Sequence, residues 1–363
     1  MQKKIGIITF HNSVNYGALL QTYALSTILA NDGFTVEVID YVNDKIDHSL
    51  RSSRYKYDKS IKGYVKYFIK RVHGYRKDKS FSAFIRAELN LSNEHNITRS
   101  NIEKLAERYD VVITGSDQVW NLKLTDMDLT YYLDFVSEDA KRVAYAVSVG
   151  DIADDDMSKV LSLIRRIDAL SVREQSLSNL LLEKYGVIST VCLDPTLLVG
   201  REMFKPIVSK RHIKNKYIFC FMMNYKPGIM EVAKRIAKEK ELVVVDNKNS
   251  LQFFLHSSPN DFLSWIYHAE YVLTDSFHGT AFSIVFNKQF VSDMYDGKGR
   301  IKQRIGDLLK TLSLEERFKN VIVDDVLEIS RVLDSSIDYS AVENKRLELA
   351  QKSHTWLVDA INM

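Results

Sequence analysis

The stretch IGIITFHNSVNYGALLQTYALSTILANDGFTVEVIDY, residues 5–41, contains the pattern that most clearly predicts the fold class. Its first apolar run, IGIITF, is typical of a buried strand, and TVEVIDY at its end predicts a second strand. Between them, apolar residues recur at helical intervals until Gly33, a usual residue at a helix end, closes the pattern. Strand, helix and strand in this order predict a parallel pair joined by a right-handed crossover.

The same alternation continues along the chain. Apolar runs predict further strands of this sheet at 109–117, 142–150, 167–172 and 189–196. After Pro195 a charged connector leads to a second series of strands, separated by predicted helices at 228–240, 261–269 and 279–287. We therefore predict an α/β protein of two Rossmann-like domains facing a cleft, 1–195 and 196–335, followed by a helix in 336–363.

Length and composition are those of a two-domain globular protein. The chain has 363 residues, 45% of them apolar and 27% charged, and domains usually hold about 100–200 residues. The apolar run near its start is shorter than a signal-peptide core, and no stretch approaches the roughly 20 apolar residues of a membrane span. We therefore expect a cytoplasmic protein.

Several common sites have no pattern in this sequence. Cys192 and Cys220 lack the paired spacing of a zinc site or a disulfide framework, so we expect both in the core. The loop after the first strand has neither the GxGxxG spacing of dinucleotide-binding proteins nor the P-loop pattern. An ordinary NAD or ATP cradle is therefore not expected.

A strongly basic segment interrupts the first domain. Residues 51–79 hold eleven Lys or Arg and two Asp, a net charge of +9, which leaves −6 for the rest of a chain whose total is +3. Apolar residues at helical spacing over 61–72 add one apolar face. Two interpretations stay open: peripheral contact with the anionic inner face of the cell membrane, or a solvated lysine face over ordinary core contacts. The segment lacks the pattern of an RNA-binding sheet, so no nucleic acid partner is expected.

Polar clusters follow two predicted strands at their carboxyl ends, where ligands of such sheets bind. HNSVNYGA brings Asn12, Asn15 and Gly17 to a helix start, although turn and N-cap chemistry alone also explains these residues. GSDQVWN combines hydroxyl-binding groups with an aromatic ring that can stack on a sugar; its residues are Ser116, Asp117, Gln118 and Trp120. A capped turn with a buried tryptophan is the alternative for the second cluster.

Two single residues suggest anion chemistry. Arg173 follows a predicted strand and can form a forked contact with a carboxylate or phosphate, or else an ion pair with Glu174 or with the other domain. In TDSFHGTAFS, His278 stands at the expected start of a helix, with Ser276 as a possible N-cap and Gly279 allowing close backbone approach. A lone histidine is more often structural than catalytic, so this pattern alone leaves both readings open.

Six segments, taken in order, resemble the polysaccharide pyruvyl transferase family of bacterial cell-surface sugar synthesis. They are NYGALLQTYAL, YDVVITGSDQVWN, YAVSVG, SVREQS, LDPTLL and TDSFHGTAFSIVFNKQF, and the resemblance spans about residues 5–294. Each segment is short, but the ordered set is specific. Where the family commonly has Asn in TNSFHGT, this chain has Asp275.

The resemblance implies a GT-B-like fold whose last helix crosses back to the first domain. It also implies transfer of pyruvate from phosphoenolpyruvate onto a sugar as a ketal, for example in exopolysaccharide synthesis, without a metal or organic cofactor. His278 and Arg173 match the family's catalytic and donor-binding positions. The donor phosphate site would be completed by Ser276, Gly279 and Thr280. The saccharide acceptor is expected on the first domain, and a lipid carrier for it would explain the basic helix.

Two other functions stay open. A GT-B-type glycosyltransferase that uses a nucleotide sugar has the same architecture, but its acidic pair is matched only by Glu231 and Glu239, in a lysine-rich amphipathic stretch. A non-enzymatic sugar-binding protein is the other alternative. Binding of UDP or GDP would favour the first, and absence of any donor binding would favour the second.

Overall fold

The computed structural model describes residues 2–43, 61–94, 97–150, 154–295, 301–321 and 326–363. The chain forms two compact units: unit 1 comprises residues 1–199 and 349–363, and unit 2 comprises residues 200–348. The division between Val199 and Gly200 lies just after the predicted boundary at Pro195. The last helix is divided between the two units and does not stand apart from them.

Unit 1 is built on a parallel sheet. Its described strands are β1 Lys4–Ile8, β2 Thr35–Val38, β3 Val111–Asp117, β4 Lys141–Val147, β5 Ala169–Val172 and β6 Thr190–Val191. They lie in the order β2-β1-β3-β4-β5-β6, and every neighbouring pair is parallel. The helices are α1 Tyr16–Asn31, α2 Ile61–Glu88, α3 Ile102–Ala106, α4 Leu122–Thr125, α5 Leu161–Ile164, α6 Gln175–Tyr185 and α7 Pro195–Leu198, with short 3-10 helices at Leu129–Tyr132 and Asp154–Val160.

The central strands of unit 1 are apolar because both faces of the sheet are covered. Along β3, Val111 and Ile113 enter one buried cluster, whereas Val112 between them enters another. The β-α-β unit predicted from residues 5–41 is confirmed, with Ile5 paired in parallel with Val36. This arrangement aligns the carboxyl ends of β1, β3, β4 and β5 along one edge of the sheet.

Unit 2 repeats this architecture. Its described strands are β7 Tyr217–Phe221, β8 Val243–Asp246, β9 Tyr271–Thr274, β10 Gln289–Asp293 and β11 Phe318–Lys319, in the parallel order β11-β10-β9-β7-β8. The helices are α8 Arg201–Phe204, α9 Pro227–Glu239, α10 Leu251–Leu255, α11 Pro259–Tyr267, α12 Phe277–Val285, α13 Gln303–Thr311 and α14 Val326–Asp334, with 3-10 helices at Lys205–Ile207 and Glu315–Arg317. Glu231 and Glu239 lie on the exposed side of α9, as their lysine-rich sequence predicts.

The last helix, α15 Tyr339–Asn362, starts in unit 2 and ends in unit 1. Near its start, Tyr339 Oη donates to Lys288 O within unit 2. Near its end, Leu357 and Ile361 are fully buried in the cluster that covers one face of the unit 1 sheet. The predicted return of the C-terminal helix to the first domain is therefore confirmed.

The basic segment 51–79 lies partly outside the described residues, which resume at residue 61 as α2. The last part of α2 is held in unit 1, where the ring of Phe81 packs against Tyr16 with centroids 5.0 Å apart. Earlier in the helix, Phe68, Val72 and Tyr75 are 59%, 42% and 69% exposed. In the part of the chain that the structure describes, no helix is both long and apolar enough to cross a membrane.

Both cysteines are buried thiols, as predicted. Burial raises the pKa of the Cys192 thiol to about 11. Cys220 lies in the middle of β7 and is also fully buried. Neither thiol has the exposure or the lowered pKa of a reactive cysteine.

Candidate active site

In unit 1, the carboxyl ends of β3 and β5 bring predicted site residues together. Ser116 and Asp117 end β3, and Arg173 directly follows β5. Asp117 has a left-handed φ of 71°, which is costly for a residue other than glycine and is often found at functional sites. Its carboxylate lies 3.8 Å from the guanidinium of Arg173.

The guanidinium of Arg173 is buried among three carboxylates. Its Nε donates to Glu174 Oε1 at 3.2 Å and its Nη1 donates to Asp194 Oδ2 at 2.7 Å, while Asp117 is the most distant of the three. Burial opposes the charge, but the three carboxylates outweigh it and raise the pKa of the guanidinium. The Arg173–Glu174 ion pair, which the sequence left open, is therefore present. An incoming anion would share the guanidinium with these carboxylates.

Asp194 is a residue of this cluster that the sequence analysis missed. Its Oδ2 accepts from Arg173 and, at 3.0 Å, from Ser116 Oγ. Its Oδ1 accepts from the N–H and the hydroxyl of Thr196 at 3.0 and 2.7 Å, so the same carboxylate caps α7. Asp followed by Pro is a common helix start, and LDPT carried that signal.

Gln118 and Trp120, which follow β3, lie in different environments. Gln118 Oε1 accepts from Asn121 Nδ2 at 3.2 Å, and a Cβ at Gly150 would lie 2.2 Å from that oxygen. Trp120 is 1% exposed and stacks on Tyr132 with ring centroids 5.0 Å apart. The predicted sugar-stacking ring is therefore part of the core and offers no open face, because the chain turns it inward against Tyr132. This is the buried tryptophan of the alternative interpretation.

The loop after β1 combines capping with a cavity. Asn15 is the N-cap of α1, and its Oδ1 accepts from the N–H groups of Gly17 and Ala18 at 3.0 and 3.4 Å. Asn12 instead lines a cavity of about 350 Å³ between this loop and α2, together with Tyr75. Capping therefore accounts for Asn15 and Gly17, and Asn12 is the residue of this group that faces open space.

In unit 2, the predicted donor motif begins α12 at the carboxyl end of β9. Ser276 is the N-cap, and its Oγ accepts from Gly279 N at 3.3 Å. His278 lies in the first turn, with its ring edge-on to Phe277 at a centroid distance of 5.2 Å. The first turn of a helix presents N–H groups that have no intrahelical acceptor and carries the positive end of the helix dipole. An anion at this end of α12 would meet both those N–H groups and His278.

Gly279 and Thr280 hold α12 against the sheet. A Cβ at Gly279 would lie 2.3 Å from Thr274 Oγ1, so a glycine is needed where the helix passes β9. Thr280 is fully buried, donates to Ser276 O at 3.0 Å and lies 2.7 Å from Ser292 Oγ. The Thr280 hydroxyl therefore links α12 to β10. Because it is buried and already hydrogen-bonded within the protein, it is not accessible for the predicted phosphate contact.

Asp275 stands where the chain departs from the motif it resembles, and two lysines balance its negative charge. Its Oδ1 accepts from Met223 N at 2.6 Å, and its Oδ2 lies 3.3 Å from Lys226 Nζ and 3.1 Å from Lys302 Nζ. Burial opposes the charge of Lys226, but Asp293 and Asp275 raise the pKa of its ammonium group. Burial lowers the pKa of Lys302, and Asp275 only partly offsets this. The sequence analysis missed both lysines, because Lys302 stands in the charged stretch KGRIKQR and Lys226 stands alone in NYKPGIM, where no motif marks it.

Among the described residues, one cluster has the composition of a cation site. His212, His256 and Asp261 in unit 2 each place a possible ligand atom within 4.8 Å of the others. The two imidazoles stack at a centroid distance of 4.3 Å and an interplanar angle of 12°, and His212 Nε2 lies 3.1 Å from Asp261 Oδ1. Asp261 also completes the capping box of α11. Ring stacking and helix capping therefore account for this cluster.

Comparisons with known proteins agree with this fold. A family model described as polysaccharide pyruvyl transferase matches residues 15–296. A putative UDP-N-acetylglucosamine 2-epimerase from Listeria monocytogenes is 11% identical, with a TM-score of 0.50 and 94% of each chain covered. Anabaena HepE in complex with UDP and glucose is 8% identical, with a TM-score of 0.50 and coverage of 99% of this chain and 100% of that chain. These structures show the predicted GT-B-like fold alone. A comparison with curated proteins gives no match.

Proposed function

The chain belongs to the polysaccharide pyruvyl transferase family, and from that premise we propose that it transfers pyruvate from phosphoenolpyruvate onto a sugar of a cell-surface polysaccharide or its precursor. The observation that carries the proposal is the placement of His278 in the first turn of α12, beside the Ser276 cap. Phosphoenolpyruvate carries a phosphate and a carboxylate, and a helix N-terminus favours such anions. We place the reaction in the cytoplasm, without a metal or organic cofactor.

The reaction joins C2 of phosphoenolpyruvate to two hydroxyl oxygens of one sugar. The first hydroxyl attacks C2 while the methylene carbon takes up a proton and becomes a methyl group. Phosphate then leaves with the electron pair of its bond to C2, and the second hydroxyl closes the ring on the oxocarbenium-like centre. Of the two hydroxyl protons, one balances the proton on the methyl group and the other leaves with phosphate.

His278 has two possible roles in this scheme. As a general acid it protonates the methylene carbon, a contribution of roughly 10²- to 10⁴-fold in rate. As a phosphate ligand it donates a hydrogen bond to the leaving group. His278→Gln separates the roles, because glutamine donates hydrogen bonds but cannot act as an acid near neutral pH: retained turnover indicates a phosphate ligand, and loss of turnover with unchanged donor affinity indicates the acid.

Arg173 is our candidate for holding the donor carboxylate or phosphate. Asp117, at 3.8 Å, is the most distant of its three carboxylate neighbours and therefore the contact that a donor would exchange most readily. Arg173→Ala should raise the donor KM and leave the acceptor KM unchanged. An unchanged donor KM in the folded variant would remove this assignment.

We place the acceptor on unit 1, near Ser116, Gln118 and the cavity at Asn12. The exposed ring of Tyr75 lines that cavity and takes the stacking role first predicted for Trp120. Tyr75→Ala should raise the acceptor KM while the donor KM stays constant. Equal acceptor kinetics in the wild type and the variant would contradict this placement.

We further propose that α2 brings the enzyme to a membrane that carries a lipid-linked acceptor. Phe68 and Val72 are exposed one turn apart, and α2 contains several Lys and Arg residues, as an anionic lipid surface requires. Phe68→Ser/Val72→Ser should reduce co-sedimentation with vesicles that contain anionic lipid. Vesicle binding that is insensitive to anionic lipid or to these changes would count against the contact.

The experiment that tests the proposed reaction is phosphate release from phosphoenolpyruvate by the wild type and His278→Ala. Acceptors that contain galactose, glucose or N-acetylmannosamine are supplied, and the products are identified by mass. Acceptor-dependent release that adds a pyruvate ketal and disappears in the variant is the expected result. No release with any acceptor, together with tight binding of a nucleotide sugar, would favour the glycosyltransferase; binding of sugar alone would favour a non-enzymatic protein.

A further inference from the structure

One face of α2 forms a wall of the cavity beside the loop after β1. Tyr75, Lys79, Ser82 and Arg86 line this cavity, and their spacings of four, three and four residues place them in one row along the helix. At 1.5 Å per residue, the row is about 16 Å long. The wall therefore begins with an exposed aromatic ring and continues with two exposed cations.

The protein itself makes little use of the polar groups in this wall. Among the residues that the structure describes, no hydrogen bond or ion pair is found for Lys79, Ser82 or Arg86. Lys77 on the same helix contrasts with them, because its ammonium group lies 4.6 Å from the ring centroid of Tyr16. A ligand can therefore bind Lys79 and Arg86 without displacing a protein contact.

The charge of the lining favours an anion. Lys79 and Arg86 supply two positive charges, and Asp78 supplies one negative charge. The planar guanidinium can form a forked contact with a phosphate or a carboxylate, and the ammonium adds a compact charge with three donors. Ser82 and, from the loop after β1, Asn12 add further hydrogen-bond donors. A negatively charged group is therefore the ligand that these side chains together bind best.

We propose that Lys79 and Arg86 bind a negatively charged group of the acceptor and thereby select anionic saccharides over neutral ones. The inference rests on the proposed function, which places the acceptor sugar on the ring of Tyr75. Lys79 follows Tyr75 by one helical turn, so its ammonium group is within reach of a charged substituent on the stacked sugar. Arg86 lies two turns further along the row, and its long side chain extends the region of positive charge. A phosphate that links the sugar to its carrier and the carboxylate of an acidic sugar share the required chemistry.

The test is calorimetric titration of the full-length protein without phosphoenolpyruvate or lipid. Galactose, glucose and N-acetylmannosamine are each supplied as the neutral methyl glycoside, the 1-phosphate and the uronic acid. The variants are Lys79→Gln and Arg86→Gln, with Arg76→Gln as the matched control. Arg76 is an exposed arginine of α2 that is not among the lining residues.

At least one charged form should bind the wild type more tightly than its neutral glycoside, and this advantage should shrink about 5- to 10-fold in Lys79→Gln and in Arg86→Gln. The range lies between the effect of an exposed ion pair and that of a charged hydrogen bond. The neutral glycosides should bind these variants as they bind the wild type, and Arg76→Gln should keep the full advantage. A preference for the 1-phosphate identifies the link to a carrier as the bound group, and a preference for the uronic acid identifies an acidic sugar.

Equal binding of the charged and neutral forms of every sugar, or no binding of any of them, would overturn the inference. An advantage that is unchanged in both variants would also overturn it, because the charged group would then bind elsewhere. An equal loss in Arg76→Gln would do the same, because it would show a general effect of charge. Arg86→Lys keeps the charge and should retain most of the advantage, which separates loss of charge from loss of folding.

The titration is independent of the proposed reaction, because no donor is present. Binding that depends on Lys79 and Arg86, by a saccharide that never receives a ketal, would refute the proposed function alone. Ketal formation on neutral acceptors, with acceptor KM values unchanged in both variants, would refute the selection of anionic saccharides alone.

Discussion

Gly279→Ala is expected to disturb the packing that places His278. The new Cβ would lie 2.3 Å from Thr274 Oγ1 and 3.1 Å from Thr274 Cβ, closer than ordinary contacts. Thr274 cannot rotate away without loss, because its Oγ1 donates to Phe221 O at 2.6 Å and accepts from Ser276 N at 3.1 Å. Either these hydrogen bonds break or α12 moves away from β9.

The magnitude follows from these contacts. Overpacking of a core costs about 1–3 kcal/mol, and each lost hydrogen bond costs about 1 kcal/mol. Alanine offsets up to about 1 kcal/mol through its helix propensity. We therefore expect the unfolding free energy of unit 2 to fall by about 2–3 kcal/mol, which lowers its Tm on the order of 4–12 °C. The donor KM should rise in the same variant, because His278 moves with the helix.

Differential scanning calorimetry measures the change against Gly306→Ala, a helical glycine in α13 whose added Cβ would lie 3.1 Å from a ring carbon of Phe318. That ring can shift, so the control should stay within about 1 kcal/mol of the wild type. In the double variant Thr274→Ala/Gly279→Ala the clash with Oγ1 is removed, so the combined loss should be smaller than the sum of the single losses. A Gly279→Ala protein as stable as the wild type, or losses that simply add, would show that the added Cβ does not clash with Thr274.

Four further substitutions test the two polar clusters and one helix cap. Asp194→Asn should lower the unfolding free energy by about 3 kcal/mol in urea titrations, because donors face both carboxylate oxygens and an amide must oppose one set of them; a loss below about 1 kcal/mol would contradict this. Lys226→Met should cost about 3–5 kcal/mol by leaving Asp293 buried without its cation, whereas Lys302→Met should cost less than about 1 kcal/mol; equal Tm values for these two variants would show that the lysines do not differ as described. Burial favours protonated Asp261, but its contact with His212, 3.1 Å away, and its hydrogen bonds with Ser258 prevail and lower its pKa to about 2 from the ordinary value of 3.8. Ionised Asp261 therefore stabilises the folded state by at most about 2 kcal/mol. This contribution is complete above the pKa of Asp261 in the unfolded chain and is lost as the pH falls through its pKa in the folded protein. The stability deficit of Asp261→Asn should shrink between about pH 5 and pH 3, and a deficit constant over that range would exclude this linkage.

The alternation of strands and helices was predictable because it depends on local periodicity. The run of residues 5–41 fixes one β-α-β unit, and Leu357 and Ile361 of the last helix supply the apolar positions that cover the same sheet. β11 was not predicted, since its two residues, Phe318–Lys319, stand in the charged stretch EERFKN and belong to no apolar run.

The candidate site was less accessible to sequence reasoning because its contacts are tertiary. Asp117 and Trp120 are only three positions apart but differ in environment. Asp117 ends a strand beside charged side chains, whereas the Trp120 ring is buried in the core. Lys302 contacts Asp275, which lies 27 positions earlier in the chain, and no local pattern marks that pairing. The substitution of Asp for the family's common Asn was visible in the sequence, whereas the lysines that compensate it were not.

The reaction that we propose for this chain ends in a pyruvate ketal. We would incubate the wild type and His278→Ala with phosphoenolpyruvate labelled with ¹³C at C2 and with the acceptor panel, and follow the labelled carbon by NMR. We expect the vinyl carbon to become a saturated carbon bonded to two sugar oxygens, with one phosphate released per ketal in the wild type and none in the variant. A labelled carbon that remains unsaturated in every product, or ketal formation that proceeds equally in His278→Ala, would contradict it.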